Sequence, residues 1–221
     1  HQARAAVASV APYLAQDCQL LLLVNGMGLA QQIKEDLPTA DIYCGTTTQG
    51  AFRIKAHHIE HAGRGATRIG QQGRPEPPLW FDAWSAGIAD CSWDADIDTA
   101  LWQKLAVNCV INPLTATNNC LNGELASRAD LAAQVEQLCE EVASICAAAG
   151  FQEIARGLHE QVLKVIRGTA RNRSSMLQDV QNQKTTEIDS ITGHLLSVAA
   201  QYAIDAPMNT ALLHKVQSYA V

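Results

Sequence analysis

"KLAVNCVINPLTATNNCLNGEL", residues 104–125, combines one lysine and five asparagines with a run of apolar side chains. In a helix, which turns by about 100° per residue, Lys104, Asn108 and Asn112 lie within about 80° of one another and form one polar stripe. A solvent-facing stripe would normally carry Glu, Lys and Arg. An amide stripe on an otherwise apolar helix either hydrogen-bonds to other buried polar groups or lines a cavity for a polar ligand. The pattern leaves both explanations open.

The chain from Asp98 onward shows helical periodicity and no strand signals. Gly150 follows the longest of the later helical segments, where a glycine typically ends a helix. We therefore predict an all-helical domain over residues 96–221. Its helices after the opening stretch are expected in "LAAQVEQLCEEVASICAAAG", "IARGLHEQVLKVIRGTARN", "TEIDSITGHLLSVAAQYAI" and "PMNTALLHKVQSYAV".

The first 95 residues alternate helical and strand signals, which favours an α/β layer. "QLLLLVN" is typical of a buried parallel strand. Helices are predicted in "HQARAAVASVAPYLA" and "GMGLAQQIKEDL", and a Pro/Gly-marked loop in "QQGRPEPP". Further strands are predicted in "DIYCGTTTQGAFRI", "HHIEHAG", "ATRIGQ" and "CSWDADI", with "HHIEHAG" and "ATRIGQ" antiparallel.

Composition narrows the class of protein. Hydrophobic residues make up 48% and charged residues 17%, with mean hydropathy −0.04, as in a soluble globular chain. The net charge of −6 and the lack of a Lys/Arg cluster argue against nucleic acid or an anionic membrane as partner. No apolar run approaches the roughly 20 residues of a membrane helix, and the start does not resemble a signal peptide. Seven cysteines without a C-x-x-C pair indicate neither a disulfide framework nor a zinc site, and favour a reducing cytoplasm.

Two short motifs carry little chemistry by themselves. His57, His58 and His61 lie in "AFRIKAHHIEHAG", which is typical of a hairpin, and no acidic or cysteine partner shares their spacing; we predict no metal site. "NGMG", residues 25–28, fits a strand-to-helix turn. It lacks the third glycine and the following acidic residue of a dinucleotide fingerprint.

The opening stretch resembles the signature of the ketopantoate reductase (2-dehydropantoate 2-reductase) family, NADPH-dependent enzymes of pantothenate synthesis. The resemblance continues, in the family's order, through "VNGMG", "GTTTQGA", "RSSMLQDV" and "TEIDSITG". It implies a partial Rossmann-like NADP-binding domain (residues 1–95), then an all-α substrate and dimerisation domain (residues 96–221). It also implies NADPH as cofactor, a small-molecule substrate and a monomer or homodimer. The family's phosphate-binding glycines precede the part that begins here at His1, so we expect these 221 residues alone to be inactive.

By resemblance, Lys104 corresponds to the proton donor. Hydride addition to a 2-keto group leaves an alkoxide, which a positioned ammonium can protonate. The local sequence alone favours a snorkelling lysine at a helix edge. Asn108, Asn112 and Asn122 correspond to substrate contacts, and neutral amides suit this role because they both donate and accept. Asn122-Gly123 is also typical of a plain turn.

A second substrate segment is implied at "NRSS". Ser175-x-x-Gln178 predicts a capping box, and the free N–H groups of such a helix start suit a carboxylate. By resemblance, the family binds substrate with the segment that here consists of Asn172, Arg173, Ser174 and Ser175.

Three further positions correspond to cofactor contacts. Glu187 matches a residue that contacts the cofactor near the catalytic lysine, although local sequence favours a first-turn acidic residue after an N-cap at Thr186. Asn25 and the backbone at Ala51 correspond to contacts on the nicotinamide side, and Asn25 also to a substrate contact. If the resemblance holds, these stretches converge on one cleft.

Two other functions remain open at this level. One is a related 2-keto or 3-hydroxy acid dehydrogenase, which would also use a helix-borne lysine. The other is a non-catalytic helical binding or oligomerisation module that retains the pocket.

Overall fold

The computed structural model describes residues 2–219, apart from the side chains at positions 2, 52, 53 and 62. Positions 1, 220 and 221, the outer ends of the two predicted domains, lie outside the described residues. The chain divides into two compact units. An α/β unit comprises His1–Val24 with Leu29–Leu101, and a helical unit comprises Asn25–Gly28 with Trp102–Val221. The sequence pattern did not indicate that the "NGMG" turn belongs to the helical unit.

The α/β unit alternates helices and strands, which confirms the predicted class. Its described elements are α1 (Gln2–Val10), a 3₁₀ turn (Ala11–Tyr13), β1 (Gln19–Leu23), α2 (Leu29–Asp36), β2 (Asp41–Thr47), β3 (Gly50–Lys55), β4 (His58–Gly63), β5 (Thr67–Gly70), α3 (Phe81–Ser85) and β6 (Cys91–Trp93). Four strands form a mixed sheet in the order β1-β2-β5-β6. β1 runs parallel to β2 and β6 parallel to β5, whereas β5 runs antiparallel to β2.

Two strand predictions are corrected. "DIYCGTTTQGAFRI" is two strands, because the chain leaves the sheet at Thr48 and Gln49. The Gln49 Oε1 accepts the Gly65 N–H at 3.0 Å, and the Thr48 Oγ1 accepts the Ala66 N–H at 2.9 Å. β4 consequently pairs with β3 in a separate antiparallel hairpin, as "AFRIKAHHIEHAG" predicted, and not with β5.

Aromatic side chains build the core of the α/β unit. Tyr43 and Ile69 are fully buried beside Phe81. The Tyr43 ring meets Trp80 edge to face with centroids 5.1 Å apart, and Phe81 meets Trp93 at 5.5 Å. Such pairs add to the stabilisation from area burial alone. The short helix α3, which the sequence reading missed, places Phe81 in this cluster.

The helical unit confirms the predicted all-α half. Its elements are α4 (Ile97–Asn118, which begins in the α/β unit), α5 (Glu124–Ser127), α6 (Ala129–Ala148), α7 (Gln152–Gly168), α8 (Ser175–Gln181), a π turn (Asp189–Gly193), α9 (His194–Gln201) and α10 (Pro207–Gln217). Gly150 follows α6 with φ +96°, as its predicted role at a helix end requires. None of the helices in the described residues combines the length and hydrophobicity that crossing a bilayer requires.

α4 is the central element of this unit. Its side chains Leu105, Cys109 and Leu114 are almost completely buried in a core shared with α6, α7 and α9. Burial on most sides of α4 explains its apolar composition, since each buried aliphatic side chain contributes about 1.5–3 kcal/mol. The polar stripe of the helix is therefore an exception that its surroundings must explain.

α10 is fixed to α6 by one carboxylate. Glu141 accepts the backbone N–H groups of Met208 and Asn209 at 2.8 and 3.0 Å, and the Asn209 Nδ2 at 2.8 Å. These N–H groups belong to the first turn of α10, where no intrahelical partner exists. A carboxylate here both satisfies them and complements the helix dipole.

Candidate active site

The residues of the polar stripe on α4 become more buried toward the C-terminal end of the stripe. Lys104 and Asn108 are half-buried, and Asn112 is only 7% exposed. Within the described part of the chain, the side-chain amides of Asn108 and Asn112 make no hydrogen bond. The first explanation of the stripe, bonding to other buried polar groups, is therefore not what the structure shows for these two residues. Their amide atoms are not fully buried, so they keep access to solvent and are open to a polar ligand.

The environment of Lys104 changes its acidity. Burial lowers the pKa of the Lys104 ammonium, and the Glu187 carboxylate acts against this by raising it. The desolvation effect is the larger of the two. A lysine with a lowered pKa releases its proton more readily than one in solvent, which is the property that a general acid needs.

Asn25 and Glu187 meet although they are far apart in sequence. The Asn25 Nδ2 donates to the Glu187 Oε2 at 2.9 Å. Since Glu187 also acts on Lys104, the structure brings together three of the predicted site residues within the helical unit. The Thr186 hydroxyl accepts the Ile188 N–H at 3.4 Å, which agrees with the N-cap reading of this segment.

The π turn after Glu187 fixes this group. Its Ser190 carbonyl accepts the Met27 N–H at 3.0 Å, and the Ser190 Oγ donates to the Glu187 carbonyl at 3.0 Å. π turns inside helices frequently lie at functional sites. Here the turn holds the Asn25 segment against the Glu187 segment, so the two polar side chains are positioned by backbone contacts.

We expect Gly26→Ala to disrupt this arrangement. Gly26 has φ +79°, and a Cβ there would lie 2.3 Å from the Ser190 carbonyl oxygen. Strain and overlap together should lower the free energy of unfolding by roughly 2–4 kcal/mol. The matched control is Gly73→Ala, since Gly73 has φ +74° but no atom within 4 Å of the new Cβ; only about 1–2 kcal/mol should be lost there. Equal losses in denaturant titrations of both variants would contradict the contact with Ser190.

Asn122 forms a second group with the segment after α7. Its Nδ2 donates to the Thr169 Oγ1 at 2.9 Å, and its backbone N–H donates to the Asn172 carbonyl at 3.0 Å. Asn122 is 6% exposed, and its Oδ1 is buried without a partner in the described residues. The residue does form a turn, because its carbonyl accepts the Leu125 N–H at 3.1 Å. The turn leaves an unsatisfied acceptor, which a plain surface turn would not.

The capping box at "SSMLQ" was predicted one residue too late. Ser174 is the N-cap: its backbone is extended, and its Oγ accepts the Leu177 N–H at 3.0 Å. Gln178 does not complete a capping box, because its Nε2 donates to the Arg173 carbonyl at 3.1 Å. The Ser174 Oγ also lies 2.7 Å from the buried Thr115 Oγ1 of α4. The Ser174 hydroxyl is thus occupied by protein contacts, whereas Ser175 is exposed as the first residue of α8.

The remaining predicted contacts lie on the surface of their units. Asn172 and Arg173 are exposed, and the Arg173 Nη1 donates to the Gln181 Oε1 at 3.2 Å. Ala51 is exposed in β3, where it pairs with His61. The binding roles of these residues stay predictions.

Sequence reasoning missed the residues that hold the predicted ones in place. Thr115, Thr169 and Ser190 each bond to a site segment through a hydroxyl or carbonyl group. Nothing in their local sequence distinguishes them from other small polar residues. Only their hydrogen bonds across the fold identify them.

Comparison with solved structures defines the class of fold. The chain is similar to D-mandelate dehydrogenase in its complex with NADH, with a TM-score of 0.84 at 20% identity over 96% of this chain and 73% of that chain. The chain therefore shares the fold of that structure, in which an α/β unit precedes a helical unit.

The particular family follows from closer matches. The family model "Ketopantoate reductase PanE/ApbA C terminal" matches residues 96–220, and "Ketopantoate reductase PanE/ApbA" matches residues 1–74. The 2-dehydropantoate 2-reductase of Vibrio cholerae is 36% identical over 98% of this chain and 74% of the relative. The solved structure of a probable 2-dehydropantoate 2-reductase from Bacillus subtilis is 30% identical, with a TM-score of 0.76 over 97% of this chain and 72% of that chain. The chain belongs to the ketopantoate reductase family.

Proposed function

We propose that the protein reduces 2-dehydropantoate to pantoate with NADPH, in the cytoplasmic synthesis of pantothenate. One observation carries the proposal. In a chain of this family, a half-buried lysine shares one helix stripe with Asn112, a buried residue whose amide makes no hydrogen bond in the described residues. A stripe of this kind suits a small polar acid, because the amides provide both donors and acceptors.

Lys104 is the proton donor in this proposal. Asn25 and Glu187 would hold NADPH, which when bound would supply the hydride for the keto carbon and leave the negative charge on the former keto oxygen. The Lys104 Nζ donates its proton to that oxygen, which yields the hydroxyl of pantoate. Burial favours the transfer because it lowers the pKa of Lys104, while Glu187 keeps the ammonium charged before the reaction.

Asn25 and Glu187, both in the helical unit, would hold the nicotinamide end of the cofactor. The turn that carries Asn25 is held in place by the close packing of its positive-φ glycines, Gly26 against Ser190 and Gly28 against His194. The Asn25 Nδ2 donates to the Glu187 carboxylate, and the Asn25 Oδ1 takes no part in that bond. Preference for NADPH over NADH is carried over from the family.

The substrate contacts in this proposal are amides and a hydroxyl. Asn108 and Asn112 contribute from α4, Asn122 from the turn after it, and Ser175 from the start of α8. None of these side chains changes charge when the alkoxide forms. Binding therefore persists through the reaction while Lys104 alone transfers a proton.

The test is a steady-state assay that follows NADPH absorbance. We expect 2-dehydropantoate to be reduced with a kcat/KM at least about 100-fold above that for benzoylformate, which lacks its hydroxyl. Calorimetric titration of the 221-residue chain with pantoate gives a second readout that needs no turnover. Faster reduction of benzoylformate would assign the protein to another branch of 2-keto acid dehydrogenases. Pantoate binding without any turnover would favour the non-catalytic binding module.

A further inference from the structure

His194 extends the contact between the turn at residues 25–28 and the helix that begins with the π turn. Ser190 and His194 are four residues apart on this continuous helix, so they lie on the same face of it. The Ser190 carbonyl accepts the Met27 N–H at 3.0 Å, and a Cβ at Gly28 would lie 3.1 Å from the His194 Nδ1. The helix therefore holds the turn at two successive points, and His194 forms the second.

The His194 ring packs between groups that have little freedom to move. Gly28 has φ +88°, a backbone conformation that side chains rarely adopt, and only its missing Cβ lets the imidazole approach. The ring centroid of Trp102 on α4 lies 6.3 Å from that of His194. Trp102 is itself 7% exposed and stacks on Phe151 with centroids 4.8 Å apart. His194 is consequently half-buried against the turn and α4.

The surroundings of His194 suit a neutral ring. Within the described part of the chain, its imidazole makes no hydrogen bond and no ion pair. The neutral ring has one N–H to satisfy, whereas the protonated ring has two and carries a charge. A charged ring at this position would therefore need water, which the packing against the turn restricts.

No neighbouring charge compensates for this burial. The turn contains no titratable side chain, and the charged groups on the helices packed against the ring are Asp98 and Lys104 on α4 and Glu187 and Asp189 ahead of α9. Burial lowers the pKa of His194, and it is the only cause of the shift. Because the folded state disfavours the proton, the contact is most stable above the ordinary pKa of histidine, about 6.5, and weakens as the pH falls below it.

We propose that His194 is a positioning residue that holds the turn at residues 25–28 while its ring is neutral and releases the turn when the ring is protonated. The turn carries Asn25, which contacts the nicotinamide end of the cofactor in the proposed function, and the inference rests on that function. Release of the turn weakens cofactor binding at acid pH. It leaves the proton donor in place, since Lys104 lies on α4.

The first measurement follows the turn without any ligand. Deuterium exchange of the Met27 N–H, observed by NMR, reports how often its bond to Ser190 opens. After correction for the intrinsic pH dependence of exchange, we expect its protection to fall at least about threefold between pH 8 and pH 5. His194→Phe keeps a ring of similar size that cannot be protonated, so its protection should stay constant. The matched control is His159→Phe on α7, which replaces an exposed histidine and should behave like the unmodified protein.

The second measurement is a calorimetric titration with NADP⁺, which is stable at acid pH, at the same two pH values. The ratio of Kd at pH 5 to Kd at pH 8 should be at least about threefold larger in the unmodified protein than in His194→Phe. Titration of the cofactor's own phosphate is common to both proteins and cancels in this comparison. Thermal unfolding at both pH values establishes that each titrated protein is folded.

The outcomes separate this inference from the proposed function. Constant protection of Met27 in the unmodified protein, or an equal fall in His194→Phe, would overturn the positioning role of His194 and leave the function standing. A fall in protection confined to the unmodified protein, with equal Kd ratios in both proteins, would overturn the link from the turn to the cofactor. If the unmodified protein binds no NADP⁺ at either pH, the proposed function loses its cofactor, whereas the exchange of Met27 still decides the role of His194.

Discussion

Replacing Lys104 with alanine is expected to lower the turnover of 2-dehydropantoate by about 10²- to 10⁴-fold, the range typical for loss of a general acid. Cofactor affinity should change little, because Lys104 acts on the substrate oxygen. The variant should stay folded, since the substitution removes a group whose burial opposes its charge. Single-turnover kinetics with NADPH saturating measure the effect. The matched control is Lys164→Ala on α7, whose lysine is exposed and should be dispensable. Full activity of Lys104→Ala at neutral pH would remove this residue from the mechanism.

The pH dependence of activity tests the same role of Lys104, because a general acid predicts the direction of the change. A general acid must be protonated, so activity is retained below the pKa of Lys104 and lost as the pH rises through it. Because burial lowers this pKa, the loss should begin at a lower pH than the titration of an ordinary lysine. Glu187→Gln removes the interaction that raises the pKa, so its alkaline limb should move to still lower pH. A limb that stays in place in Glu187→Gln would contradict the coupling of the two groups.

Asn112→Leu is expected to weaken pantoate binding by about 10- to 100-fold, equivalent to 1–3 kcal/mol for a lost hydrogen bond in a buried site. The same substitution should leave the free energy of unfolding unchanged or raise it. The reason is that Asn112 is only 7% exposed and its amide makes no hydrogen bond in the described residues, so the substitution removes no protein contact and adds apolar surface to a buried position. For this one variant, calorimetry should therefore show weaker pantoate binding, whereas denaturant titration should show no loss of stability.

The contrast with Asn209→Leu makes this result specific. Asn209 is also buried, but its Nδ2 donates to the Glu141 carboxylate at 2.8 Å. Its replacement should lower the free energy of unfolding by about 1.5–3 kcal/mol and leave pantoate affinity unchanged. A stability loss in Asn112→Leu as large as that in Asn209→Leu would mean that the amide stripe serves the fold rather than a ligand.

Much of this protein could be read from the sequence because the signals are local or periodic. The change from alternating elements to continuous helices, the polar stripe through Lys104 and the end of a helix at Gly150 each depend on residues within a few turns of one another. Such patterns survive without knowledge of the rest of the chain. The order of the two units follows from them, whereas membership of the ketopantoate reductase family rests on the resemblance of longer motifs and on the matching family models.

The tertiary structure decided the features that depend on partners distant in sequence. The strand predicted from residue 41 to residue 54 divides because Gln49 bonds to Gly65, which the local pattern does not show. The N-cap of α8 was predicted at Ser175 but lies at Ser174. The Ser174 hydroxyl caps α8 and also contacts Thr115, 59 residues away.

The same holds for the candidate site. Asn25 reaches Glu187 across 162 residues, and Asn122 reaches Thr169 across 47. Composition and periodicity report which side chains are polar, but not which donors and acceptors remain after the chain has folded. Whether the side chain of a buried asparagine is held by the protein, as the Asn209 Nδ2 is, or makes no hydrogen bond in the described residues, as in Asn112, is decided by the contacts that folding completes.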